Sequence, residues 1–136
     1  MLLRVLALPF LLISATVNAS ELPTEIIEYV DDTKVATFIN EDDIDSVTPW
    51  VPFDGPPPLT TADALALVQE FIGRDTEIAD SELRAIELRR IPHHELHWHY
   101  VVRMKTRTRD KPRSQFFTVL MNGKIIPGIT EPEGIK

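Results

Sequence analysis

All four histidines of the chain fall within seven residues, at His93, His94, His97 and His99. Three converging imidazoles bind zinc, copper or nickel at metal–nitrogen distances of about 2.0–2.1 Å, so the cluster is a candidate metal site. On a strand, His97 and His99 point to one side roughly 6.5–7 Å apart, and His93 or His94 could fold over from a preceding loop. Glu95 or Glu87 would complete such a set. The competing reading is a run of solvated loop and strand-face residues, because the spacing matches no established metal motif. A milder variant is a patch that gains charge as the pH falls below the usual imidazole range.

A second pattern is more regular. Arg103, Lys105, Arg107, Arg109, Lys111 and Arg113 occupy every second position. On a strand the first several lie on the side of His97 and His99, opposite the core, and form a cationic stripe on an open sheet face. Charge at that density can engage phosphate-bearing lipids, anionic polymers or an acidic protein surface. Arg103, Lys105, Arg107 and Arg109 are the partner-binding candidates. The bland alternatives are a solvated hairpin whose charges discourage edge pairing, or neutralisation by acids elsewhere in the chain. A net charge of −7 and the lack of a nucleic-acid reader motif argue against nucleic acid.

Catalytic signals are missing. There is no cysteine, which excludes thiol chemistry and thiolate metal sites. Ser20, Ser46, Ser81 and Ser114 lie outside any nucleophile elbow, and no glycine-rich phosphate loop occurs. The expectation is a non-enzyme that needs no cofactor.

The elements that must position these residues follow from pattern. An apolar run from Val5 to Ile13 behind Arg4 is too short to span a bilayer and fits a secretory signal cleaved after Val17-Asn18-Ala19. Residues 1–19 are therefore expected to be removed, leaving a periplasmic or secreted chain without a transmembrane segment. Residues 20–48 form an acidic segment; from Ser20 to Gly55 there are ten acids and one base, Lys34. Within it, the runs Glu25–Val30 and Val35–Ile39 flank Asp31-Asp32-Thr33-Lys34 and suggest a hairpin, with helix as the competing reading. Glu41-Asp42-Asp43-Ile44-Asp45 reads as a solvated loop. Residues 49–58 hold five prolines in ten and read as an extended connector, pinned by Trp50 and Phe53.

The remainder, 59–136, carries the domain proper. Thr60-Thr61-Ala62-Asp63 signals a capped helix start, and Leu65, Val68 and Ile72 give it one apolar face up to a left-handed stop at Gly73. Strands follow around Arg84–Arg90, where the stretch from Ser81 also suits a helix, through Trp98, Tyr100, Val102 and Met104, and from Gln115 to Met121, with Asn122-Gly123 as a hairpin turn. The expected fold is α+β, one helix packed on a three- to four-stranded antiparallel sheet, with an N-terminal hairpin or extension.

From Leu59 to Pro127 the chain resembles the PepSY-like domains of exported bacterial proteins. The carrying residues are Thr61-Ala62-Asp63-Ala64-Leu65, Trp98-His99-Tyr100-Val101-Val102 and Asn122-Gly123-Lys124-Ile125-Ile126. In that family an Asp followed by Thr-Gly-Lys usually stands at the last segment, and here the Asp and Thr are missing. The resemblance implies a non-catalytic module that binds or inhibits partners outside the cytoplasm.

Overall fold

The computed structural model describes residues 22–30, 32–109 and 111–130. The expected signal segment lies outside them. Among the described residues no helix is long and apolar enough to cross a membrane.

Two antiparallel sheets and one principal helix make the fold. The strands are β1 (Thr24–Val30), β2 (Thr33–Ile39), β3 (Ile78–Ile91), β4 (His94–Thr108), β5 (Lys111–Leu120), β6 (Ile125–Pro127) and β7 (Ile129–Thr130). The helices are α1 (Glu41–Asp45) and α2 (Thr61–Gly73). The larger sheet has the order β3-β4-β5-β6, and the smaller has the order β1-β2-β7. Each hairpin turn uses a residue with positive φ, namely Asp32, His93, Arg109 and Gly123. Such turns match the right-handed twist of the strands they join.

The helix begins as its sequence dictates. Thr60 Oγ1 accepts a hydrogen bond from the Asp63 amide at 3.2 Å, satisfying one of the free donors of the first turn. Ala64, Val68 and Ile72 are buried in one core with Tyr100, Val102, Met104, Phe117 and Val119 of the larger sheet. The Tyr100 hydroxyl donates to the Leu59 carbonyl at 2.7 Å and ties the helix entry to β4. Gly73, however, closes the helix without a left-handed residue. Arg74 caps it in the right-handed region, and the glycines with positive φ are Gly55 and Gly123.

The expected α+β arrangement of a helix on an antiparallel sheet is present, but the molecule is richer in sheet. The acidic N-terminal segment folds as the β1–β2 hairpin and then as α1 rather than a loop. Ile44, the one apolar residue among the acids of α1, is wholly buried. Asp43 accepts the Lys124 ammonium with both carboxylate oxygens at 2.7 Å. The hairpin lies against the face of the larger sheet opposite α2. Val35 packs there with Val101 and Phe116, and Glu28 pairs with Arg89 across the gap. Gly128 sits so close to this layer that a Cβ would meet Val35 Cγ1 at 2.5 Å.

The proline-rich stretch is pinned by Trp50 alone. The Trp50 amide donates to the Leu96 carbonyl at 2.9 Å, and its indole meets Trp98 edge-on at 5.8 Å. Phe53 points into solvent.

Candidate functional site

The four histidines separate. β4 bulges between the pairs Arg90↔Trp98 and Ile91↔His94, which interposes Glu95, Leu96 and His97 and breaks the simple alternation. His93 is an exposed turn residue with φ of 65°. His94 lies 3.3 Å from Glu41 and 5.9 Å, ring to ring, from His97. His99 is buried under the smaller sheet, and neither of its ring nitrogens has a hydrogen-bond partner among the described residues. Burial, aided by the nearby Arg89 charge, pushes its pKa down to about 4. Among the described residues no group of three or more His, Asp or Glu side chains is placed to hold a metal ion. The expected metal site is therefore not assembled: strand pairing spends His99 on the core and the turn spends His93 on solvent.

The cationic series divides too. On β4, Arg103 is flanked by Ala85 and Phe116, Lys105 by Glu82 and Ser114, and Arg107 by Asp80 and Pro112. These three share the face of His99 and Val101, and that face is open only beyond the β1–β2 hairpin. Arg103 is half-buried there, and its Nε has no hydrogen-bond partner among the described residues. Arg109 occupies the turn. Past it, Lys111 pairs with Thr108 and Arg113 with Thr106, so both stand on the opposite, helix-bearing face. A two-residue turn reverses strand direction, and continuing an every-second-residue count through it assigns the later residues to the wrong side.

The result is a cationic end to the β4–β5 hairpin in place of a single stripe. Thr108, Arg109, Lys111, Pro112 and Arg113 line an open depression of about 680 Å³, with Glu77 as its one acid among the described residues. Among the described residues, no acid of the N-terminal third forms an ion pair with it. Glu28 pairs with Arg89, Asp43 with Lys124, and Glu41 faces His94, all away from this end. Glu82, opposite Lys105, is engaged by Arg84 at 2.9 Å. Lys105, Arg107, Arg109, Lys111 and Arg113 form no ion pair among the described residues. Sequence reasoning named Arg107 and Arg109 but left Glu77 out. Only the pairing Ile78↔Thr108, which sets the start of β3 beside the end of β4, brings Glu77 to the depression.

Compared with known proteins, the chain matches no family model, no curated protein and no solved structure.

Proposed function

We propose that the protein is an exported, non-catalytic binding module that takes an anionic partner on the cationic end of the β4–β5 hairpin. The observation that carries this reading is the segregation of charge. A chain of net charge −7 keeps Arg107, Arg109, Lys111 and Arg113 exposed at one end of a hairpin, while Glu28 and Asp43 of its N-terminal third pair with Arg89 and Lys124. Partly stranded charges of one sign raise the local potential and attract ligands of the other sign even when the whole molecule is repelled by them. The PepSY-like reading, in which the module binds or inhibits a partner outside the cytoplasm, is compatible with such a surface. An immobilised sulfated polysaccharide tests it. The protein should be retained at low ionic strength and eluted by moderate salt, as surface electrostatics are screened within about 10 Å at 0.1 M. Replacing Arg107, Arg109, Lys111 and Arg113 together by Ala should abolish retention, whereas Arg74→Ala and Arg84→Ala should leave it. Flow-through of the parent protein at low salt would sink the proposal.

A further inference from the structure

At the opposite end of β4 lies a second surface of different chemistry. Its most unusual residue is Phe53. The Asp54 amide donates to the Val51 carbonyl at 3.2 Å, closing a four-residue turn with Pro52 in second place and Phe53 in third. Phe53 has φ of +76°. That geometry is a type II turn, in which the third position belongs to glycine because a Cβ is strained there. The side chain gains nothing in return from the fold, for its relative exposure is 103%. Strain and solvent exposure of a large apolar ring both oppose stability, and backbone strain of this kind collects at ligand-binding positions.

The turn is held rigidly. Trp50 donates its indole N–H to the Gly55 carbonyl at 3.2 Å and packs edge-on against Trp98. Beside Phe53 runs an open groove of about 560 Å³ walled by Trp50, Trp98, Leu88 and Leu96. Leu88 and Leu96 are themselves exposed. The polar groups lining this groove are few. Arg90 lies over the Trp98 ring at 5.2 Å. The Trp98 indole N–H donates to no acceptor among the described residues. Glu95 lines the groove, Asp54 follows Phe53 in the turn beside it, and neither carboxylate has a cationic partner among the described residues.

We infer that this groove binds a proline-rich peptide segment bearing a basic residue. A polyproline helix leaves its carbonyl oxygens unpaired and, at proline, brings no N–H that needs an acceptor. The Trp98 indole and Arg90 supply donors for such carbonyls, and the aromatic and aliphatic walls take the rings. Glu95 and Asp54 supply the complement to a Lys or Arg on the ligand. An anionic membrane is the poorer fit, because two acids and one cation already occupied by Trp98 border the site.

Trp50 and Trp98 are the two tryptophans of the chain, so intrinsic emission reports on this groove directly. The test titrates the protein, purified from cells expressing the full chain, with a short synthetic peptide of Pro-Pro-Arg repeats. A Gly-Ser peptide of equal length and arginine content serves as control. A saturable shift in emission is expected with the first and none with the second. Phe53→Gly should weaken binding by at least about tenfold, as for a central aromatic anchor, while its thermal midpoint stays at or above that of the parent. Three results would each overturn the inference: no saturable shift, an equal shift with the control peptide, or undiminished binding by Phe53→Gly. An emission change on concentrating the protein alone would likewise count against it, since the occupant would then be a second copy. The cationic depression takes no part in this test, so the two proposals stand or fall separately.

Discussion

The two faces of the larger sheet are covered by layers of different character. Under α2 the contacts are mainly apolar, and the buried hydroxyls on that face, of Tyr100 and Thr106, have acceptors in the Leu59 and Arg113 carbonyls. At the β1–β2 hairpin, Ile26 and Ile39 join the principal core, while Val35, Val101 and Phe116 are packed beside groups that have no such partner among the described residues. His99 Nδ1 and Nε2, Thr37 Oγ1, Thr118 Oγ1 and Arg103 Nε are all buried without a hydrogen bond among the described residues. Each such group retains most of its desolvation cost, of order 1–3 kcal/mol for a neutral donor or acceptor. The helix face thus anchors the fold, and the hairpin face is held at a discount.

The largest effect that would break this comparison is on the helix face. Phe117→Ala should lower stability by about 3–5 kcal/mol in urea denaturation, through lost burial and a cavity under α2. A cost well under about 2 kcal/mol would mean that α2 does not cover the principal core.

Acid should act on the other face. His99 titrates near 6.5 in the unfolded chain and near 4 in the fold, so the unfolded state takes up its proton first as the pH drops. Its contribution is intact above pH about 6.5 and falls progressively to about pH 4, a loss of about 3 kcal/mol in all. Denaturation curves of the parent and of His99→Leu, recorded across that window, separate this contribution from the carboxylates. The parent should lose stability more steeply, and parallel curves would refute the assignment.

The smallest effect sharpens the contrast by its sign. Thr118→Val removes an orphaned hydroxyl at nearly constant volume and should stabilise by about 1 kcal/mol. Tyr100→Phe removes a satisfied hydroxyl and should cost about 1 kcal/mol. Shifts of the same sign in the two denaturation midpoints would erase the distinction between the faces.

This contrast also explains what could be read from residue order. The helix and its partner strands were legible because Leu65, Val68 and Ile72 repeat at helical spacing while Tyr100, Val102 and Met104 alternate. The second cover was harder to see. His99 and Arg103 make that side of β4 look solvated, although Phe116-Phe117-Thr118-Val119-Leu120 has no polar alternation, which marks a strand buried on both faces. α1 was misread because its single buried residue, Ile44, stands among four acids. At the sites, Arg107 and Arg109 were legible from charge spacing alone. The scattering of the histidines was not, since it depends on the bulge at Glu95–His97. Phe53 was read as an anchor because an aromatic residue among prolines ordinarily packs, and nothing local reveals that Trp50 had already taken that role.

One pairing has a consequence for how the chain is made. The third strand of the smaller sheet is β7, whose Ile129 and Thr130 pair with Ala36 and Val35, more than ninety residues earlier. A nascent chain therefore displays the β1–β2 hairpin long before its closing strand exists, with one edge of β2 unpaired. Contacts of such long sequence separation slow folding, and an unpaired strand edge invites pairing with other chains. β7 thus acts as a latch on the β1–β2 hairpin, and a chain truncated before Gly128 would keep that edge open for its lifetime.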